Sequence, residues 1–255
     1  MVRGKNVAVV LPAYNAARTL EATYREIPHD IVDEIILVDD ASTDTTATLA
    51  RSLNIKTIVH ERNKGYGGNQ KTCYAAALES KADIVIMLHP DYQYTPRLIS
   101  AMAYLLESKE FDVVLGSRIL GGKAIEGGMP VYKYISNRVL TLLQNLIIGA
   151  KLSEYHTGYR AYTRRVLQSI PWSNNSDDFV FDNQLLSQAI FAGFRIGEIT
   201  CPAKYFREAS SINLARSINY GFGCLLTAVQ YRLGKWNLFT SRIFSFNRSI
   251  SDLSN

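Results

Sequence analysis

Cysteine is scarce: Cys73, Cys201 and Cys224 are the only three in 255 residues. An odd number without metal-ligand spacing argues for buried reduced thiols over disulfides or a zinc site, which fits the cytosol. Long apolar runs are missing as well. No uninterrupted stretch reaches the ~20 residues of a membrane span. Val7 to Leu11 is too short for the h-region of a signal peptide and leads into Pro12, so no leader is expected. Acidic residues are absent from one long stretch. None lies between Glu208 and Asp252, where Arg216, Arg232, Lys235, Arg242 and Arg248 alternate with Tyr220, Phe222, Tyr231, Trp236, Phe239, Phe244 and Phe246. Cations interleaved with aromatics suit an anionic membrane surface. A core-packed helix followed by a loose basic tail would look the same. Nucleic acid could also meet such a composition, but the net charge is only +5 and the basic stretch is local, so no nucleic-acid partner is expected.

What is present is globular: 47% of residues are hydrophobic and 20% charged. The first half alternates. Short apolar runs predict strands over Asn6–Leu11, Glu34–Val38, Lys56–His60, Asp83–Leu88 and Asp112–Gly116. Helical patterns fill Ala17–Ile27, Thr43–Ser52, Gly68–Glu79 and Thr95–Leu106. That order predicts an α/β fold with a mostly parallel, Rossmann-like central sheet flanked by helices. Further on, a long helix is expected over Tyr132–Gly149, a helix over Asp182–Ala192, a strand over Arg195–Thr200 and a final helix over Ile212–Leu233. The chain is expected to divide into a main domain at 1–210, with halves at 1–120 and 121–210, and a C-terminal helix and basic aromatic tail at 211–255.

Several catalytic signatures are missing. The Gly-Lys-Ser/Thr ending of a Walker loop does not occur, no Gly-x-Gly-x-x-Gly follows the first strand, and no Gly-x-Ser-x-Gly elbow is found. The fourth strand instead runs into His89-Pro90-Asp91-Tyr92-Gln93. Ligands of open α/β sheets bind beyond the carboxyl ends of the strands. If the chain stays extended, His89, Asp91 and Gln93 share one side. A carboxylate and an amide oxygen suit Mg2+ or Mn2+, and imidazole suits the softer Mn2+. The plainer alternative is a turn in which Pro90 stops the strand and Asp91 caps a helix.

Other strand ends carry further candidates. Pro12, Ala13 and Tyr14 close strand one, and Asp39 and Asp40 close strand two. Acidic groups there can bond a nucleotide base or ribose; Ser42 and Asp44 could equally cap a helix. The run from Asn63 to Lys71 includes Lys64, Gly65, Gly67 and Gly68, and can offer backbone N–H groups and charge to an anion. Arg118 follows strand five, with Lys133, Asn137 and Arg138 near the start of the long helix. Together these could hold a second phosphate. The stretch from Glu154 to Arg160 reads as a polar-aromatic loop suited to lining a pocket around His156.

In their order and spacing, Leu11-Pro12-Ala13-Tyr14-Asn15, Val38-Asp39-Asp40-Ala41-Ser42-Thr43-Asp44, Asn63-Lys64-Gly65-Tyr66-Gly67, the Asp91 region and Gly116-Ser117-Arg118 resemble glycosyltransferase family 2 of the GT-A fold. Thr157-Gly158-Tyr159-Arg160-Ala161-Tyr162 looks like the corresponding motif of the polyprenyl-phosphate branch, typified by dolichyl-phosphate mannose synthase. Gly197 to Pro202 is similar to that branch's last strand.

The resemblance implies an inverting hexosyltransferase of cell-envelope glycan synthesis, with C-terminal helices on the acceptor side. It implies a UDP- or GDP-linked sugar donor bound by Pro12, Ala13, Tyr14, Asp39, Asp40, Lys64, Gly65 and Asp91. A Mg2+ or Mn2+ ion would be held by Asp91 with Gln93 and His89. Arg118, Lys133, Ser136 and Arg138 would face the acceptor, a polyprenyl phosphate or a saccharide. Asp91, Arg118 and Asp182 would be catalytic. The enzyme would sit in the cytoplasm, peripheral at the inner face of the membrane. Two positions depart from the family: Ala16 stands where Glu is usual, and His89 replaces the first carboxylate of Asp-x-Asp. A third, the family's later carboxylate, is assigned to Asp182. Two rival readings are a sugar-nucleotide-binding module without turnover and a sugar nucleotidyltransferase.

Overall fold

The computed structural model describes residues 1–202, 205 and 214–246. Its centre is one seven-stranded sheet in the order β3-β2-β1-β4-β6-β5-β7. The strands are β1 Val7–Ala13, β2 Glu34–Asp39, β3 Lys56–Val59, β4 Ile84–Met87, β5 Val113–Ser117, β6 Arg160–Thr163 and β7 Ile196–Thr200. All neighbouring pairs are parallel except those made by β6, which runs antiparallel between β4 and β5. The helices are α1 Ala17–Glu26, α2 Thr46–Ser52, α3 Tyr66–Glu79, α4 Ile99–Glu107, α5 Val131–Ile148, α6 Arg164–Ser169, α7 Phe181–Ala192 and α8 Leu214–Lys235.

Every residue of β1 is buried. The period of two sorts its side chains between two cores. Ala8 and Val10 join Ala77, Val166, Leu185 and Ala228 on one face. Val7, Val9 and Leu11 join Leu20, Ala50 and Met102 on the other. The first face is thus covered by α3, α6, α7 and α8, the second by α1, α2 and α4. Tyr231, Ile243 and Phe244 also belong to the first core, so the C-terminal helix packs with the sheet.

The expected elements are found within a few residues. α2 starts three residues late because residues 42–44 are engaged in cross-loop bonding. α5 ends at Gly149, whose φ of +81° closes the helix in the left-handed region. Two elements come as additions: β6 and α6 follow the motif read as a loop. β6 is only four residues long and begins on Arg160, so neither length nor alternation marks it. The predicted start of the last helix at Ile212 and the tail position Arg248 fall outside the described residues.

Candidate active site

Topology brings one set of chain ends to the same edge. β1, β2, β4 and β5 finish there; β6, being antiparallel, begins there, and so do α3 and α7. A cavity of about 720 Å3 lies beyond β4, β5 and β6. His89, Asp91, Gln93, Arg118, Lys133, Ser136, His156 and Asp182 all line it.

The Asp91 segment does not stay extended. Tyr92 has a φ of +59°, and Asp91 Oδ1 accepts the Gln93 amide at 3.1 Å. The chain therefore turns, yet all three candidate side chains reach the cavity. Asp91 caps no helix, because α4 is entered later through a turn opened by Pro96. The turn is clamped from α1. Thr19 Oγ1 donates to the Pro90 carbonyl at 2.6 Å, and Tyr92 Oη donates to Glu26 at 2.7 Å.

Among the described residues, no three His, Cys, Asp or Glu side chains converge on one point. The donors therefore fit a cation held by one carboxylate and completed by phosphate oxygens of a ligand, the usual manner of Mg2+, and not a closed protein cage. His89 has one nitrogen already committed, since its Nε2 lies 3.0 Å from Tyr66 Oη.

The candidates at the ends of β1 and β2 lie to one side, and none lines the cavity. Tyr14 is 56% exposed, a ring open to a base. Asp39 and Asp40 are buried. Asp39 holds the Ser42 amide at 3.1 Å and the Ser42 hydroxyl. Asp40 accepts His60 Nδ1 at 2.7 Å and the amides of Lys64 at 2.8 Å and Gly65 at 3.1 Å. Asn15 Oδ1 accepts the Thr43 amide at 2.9 Å, and Asp44 accepts the amides of Ala17 at 3.2 Å and Thr46 at 2.9 Å. Asp44 thus serves the first turns of α1 and α2 at once. Burial works against its charge, but these hydrogen bonds outweigh it and hold the carboxyl below its ordinary value.

The glycine run is not an open anion cradle. The Gly67 and Gly68 amides donate to the Asp177 carbonyl at 2.7 and 3.2 Å. Lys71 bonds the Asn175 carbonyl and Asp177. A Cβ on Gly67 would stand 2.4 Å from the Ser176 carbonyl oxygen. Glycine is needed here because another strand of backbone lies against α3.

On the far wall, Arg118 pairs with Glu154, which is fully buried. Arg118 Nε donates to Glu154 at 2.9 Å, Nη1 to Tyr205 Oη at 3.0 Å and Nη2 to the His156 carbonyl at 2.8 Å. Burial pushes the Glu154 carboxyl up, but Arg118 and Asn137 outweigh it and hold it low. Lys133 makes no hydrogen bond or ion pair among the described residues. Burial and the facing Arg118 charge push its ammonium down. Arg138 points elsewhere: it donates to the Ser153 carbonyl at 3.1 Å and does not line the cavity. His156 Nδ1 lies 2.8 Å from Tyr220 Oη, while its Nε2 is buried without a partner among the described residues.

Three site residues escaped sequence reasoning. Tyr66 donates to Asp182 Oδ2 at 2.6 Å. Glu154 anchors Arg118. Arg160 is wholly buried and satisfies the carbonyls of Thr157, Asp182 and Tyr155 at 2.7, 2.6 and 2.7 Å. A buried arginine beside a carboxylate leaves no trace in periodicity. Tyr66 was legible only as part of a glycine motif.

An open, mostly parallel sheet with a cavity beyond its strand ends is an architecture that GT-A transferases share. The description "Glycosyl transferase family 2" matches residues 8–170, more than half of the chain. The chain belongs to that family and is a glycosyltransferase. It is 25% identical over 91% of its length, and 98% of the relative's, to a UDP-N-acetylglucosamine–dolichyl-phosphate N-acetylglucosaminyltransferase of Methanococcus voltae. It is 28% identical to a dolichyl-phosphate hexose transferase of Haloferax volcanii, over 77% of this chain and 82% of that one. A polyprenol monophosphomannose synthase of Mycolicibacterium smegmatis is 25% identical, over 75% and 74%. In fold it resembles glucosyl-3-phosphoglycerate synthase from Mycobacterium tuberculosis in complex with UDP, with a TM-score of 0.69 at 20% identity, covering 90% of this chain and 80% of that one. The same synthase has been solved with Mn2+ and UDP (TM-score 0.64, 18% identity, 93% and 82% covered).

Proposed function

We propose that this protein transfers a sugar, with inversion, from a nucleotide-sugar to a polyprenyl phosphate at a membrane surface. One observation carries the reading. The cavity that contains Asp91 also contains the cations Arg118 and Lys133 together with apolar side chains, Ile135, Val139 and Leu140 of α5 and Ile218 of α8. A phosphate on a hydrocarbon chain matches both. The apolar lining continues onto the surface. Ile135, Val139, Leu142 and Leu146 form one exposed stripe on α5, and Ile218, Phe222, Leu226 and Val229 another on α8. The two helices pack together, with Arg232 Nε donating to the Ile147 carbonyl. Among the described residues no helix is long and apolar enough to cross a membrane, so these stripes suit peripheral contact with the inner leaflet. Relatives named for dolichyl and polyprenol phosphates support the same acceptor.

The acceptor phosphate oxygen would bond the anomeric carbon as the bond from that carbon to the nucleoside diphosphate breaks. The electron pair leaves with the diphosphate. An anionic nucleophile needs no general base, so Lys133 and Arg118 serve to place it. Ser136, which also lines the cavity, would add a hydrogen bond. A Mg2+ or Mn2+ ion held by Asp91 with Gln93 would neutralise charge on the leaving group. Pro12, Ala13, Tyr14 and the Asp39–Asp40 turn would frame the base and ribose of a UDP- or GDP-linked donor.

A second reading has a specific support: Asp182 lines the cavity, and its Oδ1 has no hydrogen-bond partner among the described residues. With a saccharide hydroxyl as acceptor, that carboxylate would take the proton. The test supplies radiolabelled UDP-glucose, UDP-N-acetylglucosamine or GDP-mannose, Mn2+ or chelator, and vesicles with or without dolichyl or undecaprenyl phosphate. A chelator-sensitive, lipid-soluble product is expected. Label appearing only on added saccharide would overturn the lipid acceptor. Nucleotide binding without turnover under any condition would leave a binding module.

A further inference from the structure

Glu154 lies behind the cavity. It is wholly buried and does not line the space itself. Its backbone is pinned to the sheet. Glu198 of β7 accepts the Ser153 amide at 2.9 Å, the Ser153 hydroxyl at 2.6 Å and the Glu154 amide at 3.3 Å. Glu198 in turn stands opposite Leu115 on β5, the strand that leads to Arg118. From this anchored position the Glu154 side chain reaches two elements that do line the cavity. Its Oε2 accepts the Arg118 amide at 2.8 Å. Its Oε1 accepts Arg118 Nε at 2.9 Å, Arg118 Nη2, and Asn137 Nδ2 at 2.8 Å. Asn137 sits one turn along α5 from Lys133.

Stability alone does not explain such a pair, since apolar side chains of similar volume are often as stable as a buried ion pair or more so. What the pair does fix is the geometry of a cation. A guanidinium has five N–H donors. In Arg118, Nε and Nη2 both donate to Glu154, Nη2 also donates to the His156 carbonyl at 2.8 Å, and Nη1 donates to Tyr205 Oη at 3.0 Å. The edge formed by Nε and Nη2, which could clamp a phosphate in two places, is already taken. Arg118 therefore brings the cavity a charge held in one place, with a single Nη1 N–H unassigned among the described residues.

Lys133 is its counterpart. It makes no hydrogen bond or ion pair among the described residues, and burial with the Arg118 charge pushes its ammonium down. Two like charges facing each other are stabilised by an anion between them. Glu154 is bonded to the elements that carry both. We propose that Glu154 is a positioning residue for the acceptor: by holding Arg118 and, through Asn137, the first turns of α5, it sets the gap between Arg118 and Lys133 that receives the acceptor phosphate. The inference rests on reading the cavity as a lipid-phosphate site.

The experiment is steady-state kinetics on the full chain with Mn2+, dolichyl phosphate in detergent micelles, and whichever of UDP-glucose, UDP-N-acetylglucosamine and GDP-mannose the wild type turns over. Glu154→Gln keeps the volume but turns an N–H against Arg118. Glu154→Asp keeps the charge but falls one methylene short. Each should raise KM for dolichyl phosphate about tenfold, the worth of one hydrogen bond to a charged group. The kcat at saturating acceptor and KM for the nucleotide-sugar should stay as in the wild type. Arg118→Gln with Glu154→Gln should cost no more than Arg118→Gln alone, because one acts through the other. Asn137→Ala should raise the same KM about threefold, and it carries the test if neither Glu154 variant folds. A lower acceptor KM in Glu154→Gln, or wild-type kinetics in Glu154→Asp, would overturn the proposal in favour of plain charge neutralisation. Both KM values rising with a lower urea midpoint would overturn it in favour of a structural ion pair. A wild type that makes no lipid-soluble product with any of the three donors would instead defeat the acceptor reading itself, whatever the variants do.

Discussion

Two ends of one sheet treat their polar groups in opposite ways. Beyond β1 and β2 the groups answer one another: Asp39 holds Ser42, Asp40 holds the Lys64 and Gly65 amides, and Asp44 ties α1 to α2. Beyond β4, β5 and β6 they do not. Among the described residues, Asp182 Oδ1 and His156 Nε2 are buried without hydrogen-bond partners, and Lys133 faces Arg118 with no counter-ion of its own. The first region is a frame held largely by its own bonds, although Asn69 Oδ1 is left without a partner among the described residues. The second is completed only by what binds there. Buried groups left unmet are costly, and two residues that carry one line this cavity.

The comparison breaks if substitutions in the two regions have the same effect. Asp91→Ala should lower turnover by on the order of a hundredfold to a thousandfold, as loss of a charge-stabilising group does, with urea stability nearly unchanged. Asp40→Ala should act first on stability, and on the donor only through the loosened frame. It strands the buried His60 Nδ1 and removes an acceptor from the Lys64 and Gly65 amides, at a cost of about 3 kcal/mol, read from urea midpoints. An Asp40→Ala protein of full stability that had lost only nucleotide binding would erase the distinction. The cavity's apolar wall offers a milder contrast. Leu146 and Phe222 are 68% and 70% exposed. Leu146→Glu and Phe222→Glu should each reduce binding to anionic vesicles about tenfold, from the ~1.5–3 kcal/mol of burying such a side chain, while the melting temperature stays put. Vesicle binding unaffected by both would remove the membrane from the reading.

How much of this was legible follows from which interactions leave a periodic trace. Buried parallel strands do, and β1, β2, β4 and β5 were placed from apolar runs alone. The position of Asp91 was legible for the same reason, as the first carboxylate past β4. β6 was not, because a strand that starts on a buried arginine resembles a polar loop. The glycine run was legible as a tight backbone site but not in its purpose, since its partner, the Asp177 carbonyl, lies over a hundred positions away in the chain. Tyr66, His89 and Asp182 come from α3, the end of β4 and α7. Their juxtaposition is a property of topology, and only the oddity of His89 could point to it.

The smallest expected effect tests whether the cavity wall is dry. Burial pushes the His156 imidazole down from the ordinary 6.5 to about 4; Glu154 opposes this, and Arg118 and Arg160 reinforce it. The unfolded chain therefore takes up this proton near pH 6.5, and the folded protein not until about pH 4. Between those values the unfolded state binds more protons, so the contribution is complete above the upper value and is lost as pH falls through the lower. Glu154 behaves separately. Arg118 and Asn137, overcoming burial, hold its carboxyl below the ordinary 4.5, so its contribution fades only at more acid pH. Urea titrations across this range should show a shallow decline in the wild type, followed by a steeper acid limb. His156→Asn should flatten the shallow part and leave the acid limb in place. If the decline persists in the variant, other groups carry it, and the imidazole is solvated instead of facing a dry pocket.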